Sequence, residues 1–244
     1  MSLIKAGNFE LAIYSKGDSK SPKLALVLPG RLDTKDYPHM KSHVRFLANL
    51  GYFALSFDPA GTWESPGDIK LYTMTNYLKE IDELIKHFGN KPTFVMGHSR
   101  GGSMAMLAAV TNSCVTSFVA VTSQATASEP SRDLKPGGFQ AEFRDLPGNP
   151  QEKRRFDLPY SFFEDAAKYD MTGRLKTCTK PKLFIYGTRD VTISPELEKK
   201  AYEVSAEPKQ LHALDSDHDY RWHPKLIEEV NRVVGDFIKK NETD

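Results

Sequence analysis

Cysteine is scarce in this chain: Cys114 and Cys178 are the only two among 244 residues. Two distant thiols make no disulfide framework and complete no metal-ligand cluster, which fits a reducing cytoplasm. Long apolar runs are missing too, and none approaches the length needed to span a bilayer. The start, Met1-Ser2-Leu3-Ile4-Lys5-Ala6-Gly7, lacks the basic end and apolar stretch of a signal peptide. A cytoplasmic location is therefore expected. Charge of one sign is absent as well, because 33 Lys and Arg stand against 32 Asp and Glu. That balance gives no bulk pull towards nucleic acid or a membrane surface. There is no internal repeat and no low-complexity tract. The expected partner is a small-molecule substrate, and the oligomeric state is not legible.

What is present suits one α/β domain with room for a modest insertion. Hydrophobic residues make up 39% of the chain, with 14 Phe and 10 Tyr to build a core. Phe9–Tyr14 alternates like an edge strand. Lys23–Leu28, Tyr52–Phe57, Thr93–Met96, Ser117–Thr122, Lys182–Tyr186 and Lys209–Leu214 read as further strands. Between them, His43–Leu50 reads as a helix closed by Gly51, and apolar residues recur at helical spacing from Tyr77 to Phe88. Leu226, Ile227, Val230, Val233, Val234, Phe237 and Ile238 outline a closing amphipathic helix. Strands alternating with helices imply a mostly parallel central sheet with helices on both faces.

One interval breaks the rhythm. Residues 125–174 are polar and irregular, with Pro130, Pro136, Pro147, Pro150 and Pro159. So long a loop inside a compact domain is usually functional or disordered. Its second half, Tyr160–Tyr169, reads as a short helix with an aromatic face. The expectation is a small inserted cap or lid over residues 125–174, favoured over a peripheral decoration, with residues 1–124 and 175–244 forming the core.

The most informative segment is Gly97-His98-Ser99-Arg100-Gly101, placed between the strand Thr93–Met96 and a helix of small and apolar residues, Gly102–Val110. In that setting G-x-S-x-G marks a sharp turn that lifts a serine hydroxyl out of the sheet edge. The flanking glycines are required because a Cβ at either position would strike a neighbouring element. A serine hydroxyl is a poor nucleophile and needs a histidine base held by a carboxylate. Gly187-Thr188-Arg189-Asp190 puts an acid past the end of a strand, with Pro195 opening a helix. Asp215-Ser216-Asp217-His218-Asp219 puts a histidine after the last strand.

On these residues the chain resembles the α/β-hydrolase superfamily over nearly its whole length. The order Ser99, Asp190, His218 is that family's nucleophile, acid and base order, and the spacing of Gly187, Asp190 and Pro195 is similar to the family's pattern. The resemblance implies an oxyanion hole built from the backbone N–H of Arg100 and of Arg31, with Leu32 as reserve. Leu28-Pro29-Gly30-Arg31-Leu32 resembles the family's H-G-x loop with Pro29 for histidine. Asp58-Pro59-Ala60-Gly61-Thr62-Trp63-Glu64-Ser65 resembles its D-x-R-G-x-G-x-S loop with Ala60 for arginine and Trp63 for the second glycine. Trp63 either reaches the pocket or covers the elbow helix. His223 is a reserve base whose His-Pro setting suits a helix cap, and His212 lies within a strand. His98 is fixed in the turn and poorly placed to act as base. His39, His43 and His87 are not spaced as a metal site.

The implied activity is that of a serine esterase working through an acyl-enzyme on Ser99, with no metal or organic cofactor. An elbow serine argues against dehalogenase and epoxide-hydrolase chemistry, which in this family uses an aspartate. Peptidase, thioesterase, acyltransferase and C–C hydrolase readings stay open on the same triad, as does a binding protein without significant turnover. Tyr160, Phe162 and Phe163 in the cap would suit an apolar acyl or aryl group. Arg31, Arg100, Arg189 and Arg221 flank the catalytic loops and could favour an anionic one, although solvated or paired arginines are the plainer reading.

Overall fold

The computed structural model describes residues 2–127 and 134–241. An eight-stranded sheet runs through the molecule in the order β1-β2-β4-β3-β5-β6-β9-β10. Its strands are β1 (Ser2–Ala6), β2 (Phe9–Lys16), β3 (Leu24–Leu28), β4 (Phe53–Phe57), β5 (Thr93–His98), β6 (Val115–Val121), β9 (Lys182–Gly187) and β10 (Lys209–Leu214). From β4 to β10 all neighbours pair in parallel, while β1 with β2 and β2 with β4 pair antiparallel. The mostly parallel α/β sheet expected from the sequence is therefore present. Phe9–Tyr14 is not the edge, however: the short alternation of β1 covers it.

Period-2 alternation divides the core between the two faces of the sheet. Leu24, Leu26 and Leu28 face α2 (Met74–His87) and α3 (Arg100–Thr111). Ala25 and Val27 face α1 (Pro38–Asn49) and α7 (Pro224–Asn241). With both faces covered, the central strands β3 and β4 are buried along their whole length. Functional side chains are left to the loops at the strands' C-terminal ends. Among the described residues no helix is long and apolar enough to cross a membrane.

The interval 125–174 holds an element the sequence hid. It carries a two-stranded antiparallel ribbon, β7 (Phe139–Leu146) and β8 (Asn149–Pro159), then α4 (Tyr160–Ala166) and α5 (Thr172–Leu175). Residues 128–133, including Pro130, lie outside the described residues. The ribbon turns at Pro147-Gly148, where Gly148 has φ +81°; Pro followed by a left-handed Gly is the signature of a type II turn. It is tied to the core near the end of β3. Arg144 donates to the Arg31 carbonyl at 3.0 and 2.9 Å. Arg221 forms a two-pronged pair with Asp145 at 3.0 and 2.7 Å. Tyr37 Oη donates to the Asp145 carbonyl at 2.9 Å.

α3 begins almost in contact with β3. A Cβ on Gly101 would run into the carbonyl oxygen of Leu28 and lie 2.8 Å from that of Pro29. These are backbone atoms of a buried strand and cannot move aside. Gly101→Ala is accordingly expected to lower stability by at least about 2 kcal/mol in urea unfolding. Gly173→Ala is the control: nothing lies within 4 Å of its added Cβ. It should change stability by between zero and a gain of about 1 kcal/mol. Equal effects of the two would contradict the close approach.

Candidate active site

Ser99 sits at φ +53°, ψ −120° between β5 and α3. A positive φ is unfavourable for a side-chain-bearing residue. It persists here because the surroundings fix it: Ser99 N–H donates to the Val121 carbonyl at 2.8 Å, and the Ser99 carbonyl accepts from Gly102 and Ser103 at 3.0 and 3.1 Å. A Cβ on Gly97 would meet the Gly101 backbone, so both motif glycines are required by contact.

Two further loops converge on this turn. Asp190 follows β9 and His218 follows β10, and backbone bonds zip the loops together. Thr188 N–H donates to Leu214 O and Arg189 N–H to Ser216 O, each at 2.9 Å. Gly187 permits the approach, since a Cβ there would lie 2.8 Å from the Ser216 oxygen. Asp190 Oδ1 accepts from the N–H groups of Thr192 and Ile193 at 2.8 and 2.9 Å, and Oδ2 lies 2.7 Å from His218 Nδ1. His218 Nε2 lies 3.0 Å from Ser99 Oγ. Because a carboxylate only accepts, Nδ1 carries the proton and Nε2 presents its lone pair to the serine O–H. Burial opposes ionisation of Asp190, but the bonds from His218 and the two N–H groups outweigh it and hold its pKa below the ordinary value. The structure thus brings together the three residues the sequence singled out.

The loop after β3 is held at several backbone groups. Tyr77 Oη donates to Pro29 O at 3.1 Å, Leu32 N–H donates to Tyr72 Oη at 3.1 Å, and Trp63 Nε1 donates to Leu32 O at 2.8 Å. Leu32, the reserve donor, is therefore already engaged. Among the described residues no acceptor is paired with the N–H of Arg31, and Arg100 opens α3, where a helix leaves its first N–H groups unpaired.

Trp63 is not among the residues lining the cavity. Its ring packs edge-on against Tyr37 and Phe156, and its N–H props the loop beside Arg31. The aromatic expectation for the inserted segment also needs correcting. Phe162 and Phe163 are buried in the core, with Phe162 stacked on Tyr72, and Tyr160 is half-buried beside Gly138. None of these four lines the cavity at Ser99. An amphipathic helix hides its aromatic face against the core, so this face points inward rather than towards a substrate. His223 is exposed and caps α7, its carbonyl accepting from Leu226 and Ile227. His212 pairs with Glu229 at 2.9 Å.

His98 and Asp33 were not legible as partners. His98 Nε2–H donates to the His218 carbonyl at 2.9 Å, while Nδ1 faces Asp33 Oδ2 at 3.4 Å. His98 therefore tethers the base loop to the loop after β3. Burial opposes ionisation of Asp33, but the His98 bond and the charges of His98 and Arg144 overcome it and depress its pKa. Although the histidines are not spaced as a metal site in sequence, the fold gathers Asp33, His39 and His98 with ligand atoms within 4.8 Å. Burial holds His39 well below its ordinary pKa, so it is neutral.

A cavity of about 400 Å³ opens over Ser99. Ile193 is the one aliphatic side chain among its described lining residues; arginines, His98, His218 and acids supply most of the rest. The alpha/beta hydrolase fold family model matches residues 25–176, and the chain belongs to that family. It is similar to the lysophosphatidylserine lipase ABHD12 of Danio rerio, 27% identical over 243 residues, spanning 93% of this chain and 60% of that protein. The mitochondrial palmitoyl-protein thioesterase ABHD10 of Mus musculus is 21% identical over 253 residues, spanning 100% of this chain and 84% of that protein. Among solved structures, Est1E from Butyrivibrio proteoclasticus with ferulic acid bound superposes with a TM-score of 0.79 at 19% identity, over 99% of both chains. That likeness concerns the fold.

The depressed pKa of Asp190 fixes the sign of one pH effect. A carboxyl with a lowered folded-state pKa adds stability above its unfolded value, here 3.8, and loses it as pH falls through the folded value. The stability advantage of the wild type over Asp190→Asn should therefore be full at pH 6 and shrink steadily below about pH 4. Urea unfolding between pH 3 and 7 reads this directly, and an advantage constant across that range would contradict it.

Proposed function

We propose that this chain is a serine hydrolase that cleaves an ester-type bond of a small molecule through an acyl-enzyme on Ser99. The observation that carries this reading is the continuous relay from Ser99 Oγ to His218 Nε2 at 3.0 Å and from His218 Nδ1 to Asp190 at 2.7 Å. His218 takes the serine proton as Oγ attacks the carbonyl carbon. Asp190 keeps the imidazole in the reactive tautomer and stabilises its protonated form. The N–H groups of Arg31 and Arg100 receive the oxyanion, and His218 protonates the departing alcohol oxygen. Water, deprotonated by the same histidine, then releases the acid and restores Ser99. None of these steps calls on a metal or organic cofactor.

Among its described residues, the insertion borders the cavity through the ribbon β7–β8 rather than supplying an apolar acyl slot. Arg144 of β7 lines the cavity and grips the Arg31 carbonyl. The small, polar cavity favours a short substrate over a long acyl chain, which sets this chain apart from what the names lysophosphatidylserine lipase and palmitoyl-protein thioesterase denote for its relatives.

A fluorophosphonate probe should label the wild type at one site, and Ser99→Ala should lose both labelling and turnover of short p-nitrophenyl esters. Asp190→Asn should keep the fold and lose about ten-thousand-fold in kcat, through the wrong imidazole tautomer. Folded wild-type protein that neither labels nor turns over these esters would favour the binding-protein reading instead.

A further inference from the structure

Four arginines line the cavity over Ser99: Arg31, Arg100, Arg144 and Arg221. Three have carboxylate partners. Arg31 lies 3.3 Å from Glu142, Arg144 lies 3.6 Å from Asp33, and Arg221 pairs with Asp145 at 2.7 Å and Asp219 at 3.0 Å. Their charge is largely answered within the protein.

Arg100 differs. Its Nη1 lies 2.9 Å from the Met74 sulfur, and its guanidinium lies 5.4 Å from the Phe162 ring centroid. Among the described residues no carboxylate oxygen lies within 4.0 Å of it. The nearby acid is Asp165, but its oxygens accept from Thr75 N–H at 2.9 Å and Thr75 Oγ1 at 2.6 Å. A thioether and a ring edge or face are weak substitutes for a counter-ion. Burial pulls the Arg100 pKa below its ordinary value, yet a guanidinium remains protonated at neutral pH. A partly buried cation without a carboxylate partner is thus left on a residue that lines the same cavity as Ser99, next to it in the chain. An anion entering that cavity would relieve it through charge-assisted, two-pronged hydrogen bonds.

We propose that the Ser99 cavity takes an ester bearing an anionic group, a carboxylate or a phosphate, and that the Arg100 side chain is its specificity-determining partner. The proposal rests on the hydrolase reading above and names the substrate class for it. The anion takes no part in bond making: the Ser99 Oγ–carbon bond forms, the ester carbon–oxygen bond breaks, and the proton passes through His218 to the leaving oxygen. The cavity's size and its single aliphatic lining residue agree with a short, charged substrate.

The test is a set of matched ester pairs. The monoanionic p-nitrophenyl ester of adipic acid is compared with p-nitrophenyl hexanoate, which places the charge on the acyl side. 4-Acetoxybenzoate and 4-acetoxyphenyl phosphate are compared with methyl 4-acetoxybenzoate, which places it on the leaving group and separates carboxylate from phosphate. At low salt, kcat/KM for an anionic member should exceed that of its neutral partner by about tenfold or more, with the ratio falling as salt is added. Arg100→Met should collapse the ratio towards one, and Arg100→Lys should restore part of it. If Arg100→Met does not fold, stronger competitive inhibition of the wild type by adipate than by neutral adipamide gives the same reading. Neutral esters favoured or equal in every pair, with Ser99 still labelled by the fluorophosphonate, would overturn the anion site and leave the hydrolase standing. If the wild type proves inactive, calorimetric titration with adipate and phenyl phosphate decides: binding that Arg100→Met weakens supports the site, and no binding overturns it.

Discussion

The site depends on one backbone constraint, the turn that holds Ser99 at φ +53°, ψ −120° where β5 hands over to α3. Conformations of this kind cost about 1–3 kcal/mol and survive only where packing leaves no alternative. Here β5 is buried between β3 and β6, and the helix that follows is buried along most of its length. Gly97 and Gly101 remove the two Cβ atoms that would prevent the helix from meeting the strand. The sheet and α3 thus offset the turn, and the turn presents the serine hydroxyl beside a fresh helix N-terminus.

The remaining site elements are loops locked to that turn and to each other. The acid and base loops are joined by main-chain hydrogen bonds and by the side-chain-free surface of Gly187. His98 carries the connection onward, with one ring nitrogen on the His218 carbonyl and the other facing Asp33. Asp33 belongs to the loop that also contains Arg31, and Arg144 of the ribbon holds that loop from outside. Ser99, His218 and the Arg31 loop therefore share one hydrogen-bonded frame, the kind of preorganisation that the proposed acyl transfer would require.

Much of this was readable from residue order because the signals were local. The continuous apolar runs of β3, β4, β5, β6 and β9 follow from burial on both sheet faces, and Ser99, Asp190 and His218 each stand at a strand's C-terminal end. The ribbon β7–β8 is hidden in the sequence because seven successive residues of β8, Asn149–Arg155, are exposed and all but Pro150 are polar, so alternation is masked; Pro147-Gly148 is the signal that marks it. β1 is only five residues long and adds a covering edge that Phe9–Tyr14 could not reveal. The direction of the α4 aromatics, the propping role of Trp63 and the pairing of His98 with Asp33 depend on contacts between residues far apart in sequence. Periodicity and motif spacing carry no such information.

The chemistry of the cavity likewise comes from tertiary placement. Arg31, Arg100 and Arg221, which flank loops in sequence, line one small space together with Arg144 of the ribbon, whereas Arg189 pairs with Asp215 and is not among the lining residues; among the described residues three of the four are paired with acids and Arg100 is not. The central claim, that Ser99 becomes acylated by a relay through His218 and Asp190, is tested most directly by rapid-quench kinetics with a p-nitrophenyl ester followed by peptide mapping. A burst of one nitrophenolate per chain and an acyl group on the peptide containing Ser99 are expected, both absent in Ser99→Ala. Turnover without an acylated Ser99, persisting in Ser99→Ala, would contradict it.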